Sequence, residues 1–156
     1  MAAKASDIKN YQKAIQSYQN LEVHSFYMAE ISSLVYLPDE ILKKKSPPAP
    51  LSTFLKNRGL SIVEFFSHED MDTQAFLLKK TAGNGEYILG FRGTEQNLYD
   101  WLTNGQYNQA VLNSKSGPVN IHAGFKAGID AIWPSISKTL KKENPRKIWI
   151  TGHSLG

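Results

Sequence analysis

Lys147-Ile148-Trp149-Ile150-Thr151-Gly152-His153-Ser154-Leu155-Gly156 is a short β-branched and aromatic run that ends in a complete G-x-S-x-G pentapeptide. Residues 147–150 have the composition of a strand buried on both faces of a parallel sheet. The pentapeptide is the signature of a nucleophile elbow, in which a strand passes through a very tight turn into a helix and presents a serine hydroxyl above the sheet. Both glycines are needed there, because a Cβ at either position would meet neighbouring backbone. A chance pentapeptide of this form occurs in roughly one chain in twenty of this length, so its weight depends on what lies upstream.

Upstream, Tyr87-Ile88-Leu89-Gly90-Phe91-Arg92-Gly93-Thr94 reads as a second buried strand leading into a turn, with Gly93 freeing the backbone beside a hydroxyl residue. Strands Thr73 to Lys80 and Glu86 to Phe91 flank the Ala82-Gly83-Asn84-Gly85 turn closely enough to form an antiparallel hairpin at the sheet's early edge. A strand from Leu60 to Phe66 precedes them across a polar turn. Phe125, Ile129, Ile132, Trp133, Ile136 and Leu140 define a strong helix, with Lys138, Lys141 and Lys142 placed for its C-terminal dipole. Pro134 is expected to kink that helix or to reset its start. The segment from Ile121 to Ser154 thus reads as the crossover that a parallel strand pair requires.

The N-terminal part reads as helical. Ser6 is an N-cap for an amphipathic helix carrying Ile8, Tyr11, Ile15 and Tyr18. Phe26, Tyr27, Ile31, Leu34 and Val35 form the apolar stripe of a second helix, which Pro38 ends. Ser46-Pro47-Pro48-Ala49-Pro50 reads as a stiff extended connection. No linker or internal repeat interrupts the chain. The expectation is one incomplete domain over 1–156, helical over 1–50, with a sheet core from 60 to 156.

Five blocks now stand in order: Asp72-Thr73-Gln74-Ala75-Phe76, the Phe91-Arg92-Gly93-Thr94 strand end, Asp100-Trp101-Leu102, Ile121-His122-Ala123-Gly124-Phe125, and Gly152-His153-Ser154-Leu155-Gly156. Together they make the chain resemble the class 3 lipases, the family of the filamentous-fungal triacylglycerol lipases, over about residues 21–156 and most clearly after Asp72. The resemblance implies an α/β fold, the N-terminal part of an α/β-hydrolase, with a mixed, mostly parallel sheet and flanking helices. It implies that Ser154 attacks an ester carbonyl, forms an acyl-enzyme and is regenerated by water. The oxyanion donors it implies are the N–H of Leu155 and Thr94, the latter through its N–H and its hydroxyl; the competing reading of Thr94 is an ordinary turn threonine.

Glu95 to Leu102 falls where lipases of this family carry a short lid helix. Leu98 and Trp101, spaced i, i+3, would give it an apolar face that turns toward lipid on opening. Asn97, Asp100 and Asn104 make the segment rather polar, and many family members carry Asp where Asn104 stands. The implied substrate is a lipid or other carboxylic ester, with transient contact at a lipid interface and no cofactor or metal. Phospholipid, thioester and peptide substrates remain open on the same elbow, as does a non-catalytic fragment that binds lipid or another chain.

A serine hydroxyl needs a histidine base and an acid to orient it, and in this fold the order along the chain is Ser, then Asp or Glu, then His. Both partners are therefore expected beyond residue 156. The histidines of this sequence are 24, 68, 122 and 153. His153 should face away from the Ser154 hydroxyl, since consecutive strand residues alternate, and should pack or hydrogen bond instead. His122 is expected to brace the elbow region through hydrogen bonds, while His24 and His68 read as surface or boundary residues.

Composition limits the partners. A hydrophobic content of 41% over 156 residues is that of a globular protein with one ordinary core. The net charge of +4 is carried by lysine, with arginine only at 58, 92 and 146, which argues against nucleic acid. The absence of cysteine excludes disulfides and thiol catalysis. Met1 to Tyr18 lacks the continuous apolar core of a secretory signal, and no run approaches the roughly 20 apolar residues of a membrane span. These features predict a soluble protein, cytoplasmic or exported without a cleaved leader. A sheet that stops at its nucleophile strand exposes an apolar edge, so the 156-residue polypeptide alone is expected to be poorly soluble.

Overall fold

The computed structural model describes residues 28–44, 46–82, 84–93, 109–153 and 156, without the side chain of Val35. The helix expected from Ser6 and His24 lie outside the described residues. A helix, α1, occupies 28–33 and passes into a 3-10 turn, Leu34–Tyr36, which closes before Pro38 as the proline predicts. Two short helices follow, α2 (Asp39–Leu42) and α3 (Leu51–Asn57). The chain then forms β1 (Leu60–His68), β2 (Thr73–Lys80) and β3 (Glu86–Phe91). A hairpin of β4 (Gln109–Ser114) and β5 (Gly117–His122) leads into α4 (Ala123–Glu143) and β6 (Lys147–Gly152).

The main sheet has the order β1-β2-β3-β6. β1, β2 and β3 form an antiparallel meander, and β6 lies parallel to β3. The sheet is mixed, as expected. Within the described residues antiparallel pairs predominate, because the meander uses short turns and only the α4 connection is long enough to bring a strand back parallel. β2 and β3 are buried on both faces and separate two cores by simple alternation. Phe76, Leu78 and Ile88 face Ile31, Leu42, Leu51 and Leu55 of the N-terminal helices. Ala75, Leu77, Tyr87 and Leu89 face Ile132 and Ile136 of α4. The result is a helix–sheet–helix sandwich, with the meander as its middle layer.

Two sequence expectations need correction, and the helix α4 forms as expected, with the sheet choosing which of its sides is buried. The Pro-rich stretch does not run extended into β1; it turns at Ala49-Pro50 and gives way to α3, whose Leu51 and Leu55 are buried one helical turn apart. In α4 the buried residues are Gly128, Ile132, Ile136 and Thr139, whereas Phe125, Ile129 and Trp133 are exposed. α4 continues through Pro134, which lies on the exposed side of the helix, so the carbonyl that loses its partner need not be buried. Finally, β6 is not buried on both faces. Trp149 packs on the N-terminal core, but Ile148 is 36% and Ile150 70% exposed. α4 lies over β1 and β2 rather than over β6, which leaves that face of β6 uncovered by the described residues.

One ionic contact links α4 to the sheet. The hydroxyl of the buried Tyr87 donates to Glu143 Oε2 at 2.8 Å, and Lys79 Nζ lies 3.5 Å from the same oxygen. The Tyr87 hydrogen bond, with the Lys79 charge behind it, holds the Glu143 carboxyl below the usual carboxylate range. Stability from a depressed carboxylate is complete above its unfolded pKa and is lost as pH falls through the lower folded value. Tyr87→Phe is therefore expected to lower the urea midpoint at pH 7, with a gap to wild type that narrows as the pH drops below about 4. An equal gap at pH 7 and pH 3 would show that the carboxylate is not involved.

No helix among the described residues is long and apolar enough to cross a membrane.

Candidate active site

The parallel pairing of β3 with β6 runs from Glu86 opposite Lys147 to Phe91 opposite Gly152. Both strands therefore end at the same level, and the turns that begin at Arg92 and His153 leave from the same edge of the sheet. Ligand sites of open α/β sheets form outside the carboxyl ends of parallel strands. The turn after β6 is closed by a hydrogen bond of 3.0 Å from the Gly156 N–H to the His153 carbonyl.

The pentapeptide glycines meet a steric demand. A Cβ on Gly156 would come 2.7 Å from the Phe91 carbonyl carbon and 2.8 Å from that of Arg92, and closer still to the Phe91 oxygen. A Cβ on Gly152 would reach 3.3 Å from Gly156 Cα and overlap the Gly156 carbonyl. All of these obstacles are backbone. The two motifs that stand 58 or more residues apart in sequence are thus packed against each other, the end of β3 directly beneath the far end of the β6 turn.

Arg92 closes the β3 side. Its N–H donates to the Gln74 carbonyl at 3.0 Å, and its guanidinium hydrogen bonds to the Gln74 side chain. Ser154, Leu155, Thr94, Leu98 and Trp101, the residues expected to be nucleophile, oxyanion donors and lid, lie outside the described residues, as does Asn104. The described flanks of the first three, Arg92-Gly93 and His153, are brought to one end of the sheet.

The described histidines 122 and 153 each make a side-chain hydrogen bond. His153 shares a hydrogen bond of 2.8 Å between its Nδ1 and the Tyr36 hydroxyl, in line with the hydrogen-bonding role expected for it. His122 Nδ1 accepts from the Gly124 N–H at 3.1 Å, which makes it the N-cap of α4. His68 is the last residue of β1 and partly buried. Among the described residues, no group of three or more His, Asp or Glu side chains is gathered as a metal set. Sequence reading missed Tyr36 as a site neighbour; it lies 117 positions from His153, and nothing in its local pattern marks it.

The mixed sheet, the helices on both faces and the strand–turn geometry at the end of β6 define an α/β-hydrolase fold. Residues 88–156 match the family model described as lipase (class 3), and the resemblance to that family is thereby shown. No curated protein sequence matches the chain. Among solved structures, the fold is similar to a lipase from Rhizopus microsporus var. chinensis, with a TM-score of 0.60 and 20% identity, covering 100% of this chain and 49% of that one. It is similar to lipase II from Rhizopus niveus, with a TM-score of 0.63 and 22% identity over 88% of this chain and 52% of that one. It is also similar to the Rhizomucor miehei lipase in a propeptide complex, with a TM-score of 0.61 and 19% identity over 100% of this chain and 44% of that one. The chain spans about half the length of these structures.

Proposed function

We propose that this chain is the nucleophile-bearing part of a serine ester hydrolase acting on lipids. Ser154 attacks the ester carbonyl, the alcohol leaves, and water hydrolyses the acyl-enzyme. The N–H of Leu155 and the N–H and hydroxyl of Thr94 stabilise the tetrahedral oxyanion, each such donor being worth roughly 3 kcal/mol of barrier. The base and its orienting acid are assigned to residues C-terminal to Gly156 in the full-length protein, following the order of triad residues in this fold. Glu95 to Leu102 is the lid, with Leu98 and Trp101 toward lipid.

The observation that supports this reading is the class 3 lipase match, which spans both the Phe91-Arg92-Gly93-Thr94 and the Gly152-His153-Ser154-Leu155-Gly156 motifs. The contact of Gly156 with the end of β3 agrees with it, since an oxyanion hole takes one donor from each of these turns.

The test is covalent labelling of the full-length protein with a fluorophosphonate, which requires an activated serine. One adduct per chain, mapped to Ser154, is expected. Absence of labelling, or an adduct on another serine, would refute the assignment.

A further inference from the structure

The N-terminal segment 28–39 reaches both strand ends that carry the motifs. Thr151 Oγ1, at the end of β6, donates to the Met28 carbonyl at 3.2 Å. The Tyr36 hydroxyl meets His153 Nδ1 at 2.8 Å, and the two rings stand edge to face with centroids 5.2 Å apart. Asp39 Oδ1 lies 3.5 Å from Arg92 Nη1, and the Arg92 guanidinium sits 5.7 Å from the centroid of the Tyr36 ring. Tyr36 thus touches both turns: through its hydroxyl the residue immediately before Ser154, and through its ring face the residue two before Thr94.

That convergence matters because the strand ladder cannot align the two turns by itself. The β3–β6 register ends at Phe91 opposite Gly152. Beyond it, Gly156 limits how close the turns can approach, but backbone contact alone does not stop them from shearing past each other. An oxyanion hole assembled from two turns depends on that relation, since misplacement of a donor by about 1 Å can cost about a hundredfold in rate. A tyrosine bonded to one turn and stacked under a cation of the other restrains the shear.

The geometry points to Tyr36 as a positioning residue of the hydrolase site, acting through His153 and Arg92 and not on the substrate itself. This rests on the ester-hydrolase reading above. It assigns the N-terminal helical layer a part in catalysis: α1 and the 3-10 turn bury their apolar side in the core while Tyr36, at the end, locks the site.

The test uses the full-length protein, with Tyr36→Phe, which keeps the ring and removes the hydroxyl, His153→Phe, the double variant and Ser154→Ala. Tyr36→Phe is expected to lower kcat on p-nitrophenyl butyrate about tenfold, the equivalent of one net hydrogen bond, with KM within about twofold. The double variant is expected to be no slower than the slower single one, because both remove the same bond. The amide resonances of Ser154 and Leu155 should move in Tyr36→Phe. Unmoved amides, an unchanged kcat, or losses that multiply in the double variant would each overturn the proposal, including where Ser154→Ala is inactive as expected. Hydrolysis that survives Ser154→Ala would instead overturn the underlying ester-hydrolase reading, and this role with it.

Discussion

Ser154→Ala in the full-length protein is expected to lower kcat for ester hydrolysis by about 10⁶-fold, the scale seen when the nucleophile of a serine hydrolase is removed. The size follows from the chemistry. Without the hydroxyl no acyl-enzyme forms, and the base is left with nothing to activate but adventitious water. The loss should not be total, because oxyanion donors and substrate binding still favour the tetrahedral species, and a residual rate of about 10³-fold over water is typical. KM should change little. Steady-state hydrolysis of p-nitrophenyl butyrate, with phosphonate labelling as a parallel readout, measures both. Turnover within about tenfold of wild type would remove Ser154 from the mechanism.

Gly156→Ala carries the second large effect, and it is structural. The new methyl would meet carbonyl carbons of Phe91 and Arg92 at 2.7 and 2.8 Å, and neither can rotate away as a side chain would. Relief requires the β6 turn to lift off the end of β3, opening the Gly156–His153 hydrogen bond or the last rung of the parallel ladder. The expected loss is on the order of 3 kcal/mol of stability, at the upper end of overpacking penalties, together with most of the hydrolytic activity. Gly117→Ala provides the contrast. There φ is 114° but a Cβ would meet nothing within 4 Å, so only backbone strain of about 1 kcal/mol is expected, with activity retained. Urea midpoints of the two variants decide the matter. Equal losses would mean that crowding at the end of β3 is not what fixes glycine at 156.

The meander was legible in the sequence because its residues carry one meaning. Thr73–Lys80 and Glu86–Phe91 are apolar runs closed by lysines, glycines and asparagine, and they are strands with those bounds. α4 was legible as a helix but not in its orientation. Phe125, Ile129 and Trp133 form a stripe as apolar as Gly128, Ile132 and Ile136, and only the sheet's position chooses between them. The hairpin of β4 and β5 leaves little signal in the sequence, because Val111, Leu112 and Val119 are its exposed apolar residues and its turn relies on Gly117 at positive φ, which sequence alone does not reveal. α3 did leave a signal in Leu51, Phe54 and Leu55, outweighed by the four preceding residues of Pro-Pro-Ala-Pro. At the site, the motif residues could be named from spacing. Tyr36 could not, since a hydrogen bond across 117 positions follows from the packing of α1 on β6 and from no local pattern.

The parallel pairing of β3 with β6 has a kinetic side. β1, β2 and β3 are joined by turns of a few residues, so their closure costs little chain entropy, whereas β3 and β6 must close a loop from Phe91 to Lys147 that contains the 21-residue α4. Contacts between residues so distant in sequence form late in folding and slow it. The meander can therefore be in place while the two turns are still apart, and the site is the final piece to assemble. The same asymmetry operates in the native state: parting β6 from β3 releases the long loop's entropy without melting the meander, which makes the pair a natural boundary for sub-global opening. Met28, Tyr36 and Asp39 bridge that boundary from the N-terminal side, so the contacts that align the turns also hold shut the seam along which the domain would first come apart.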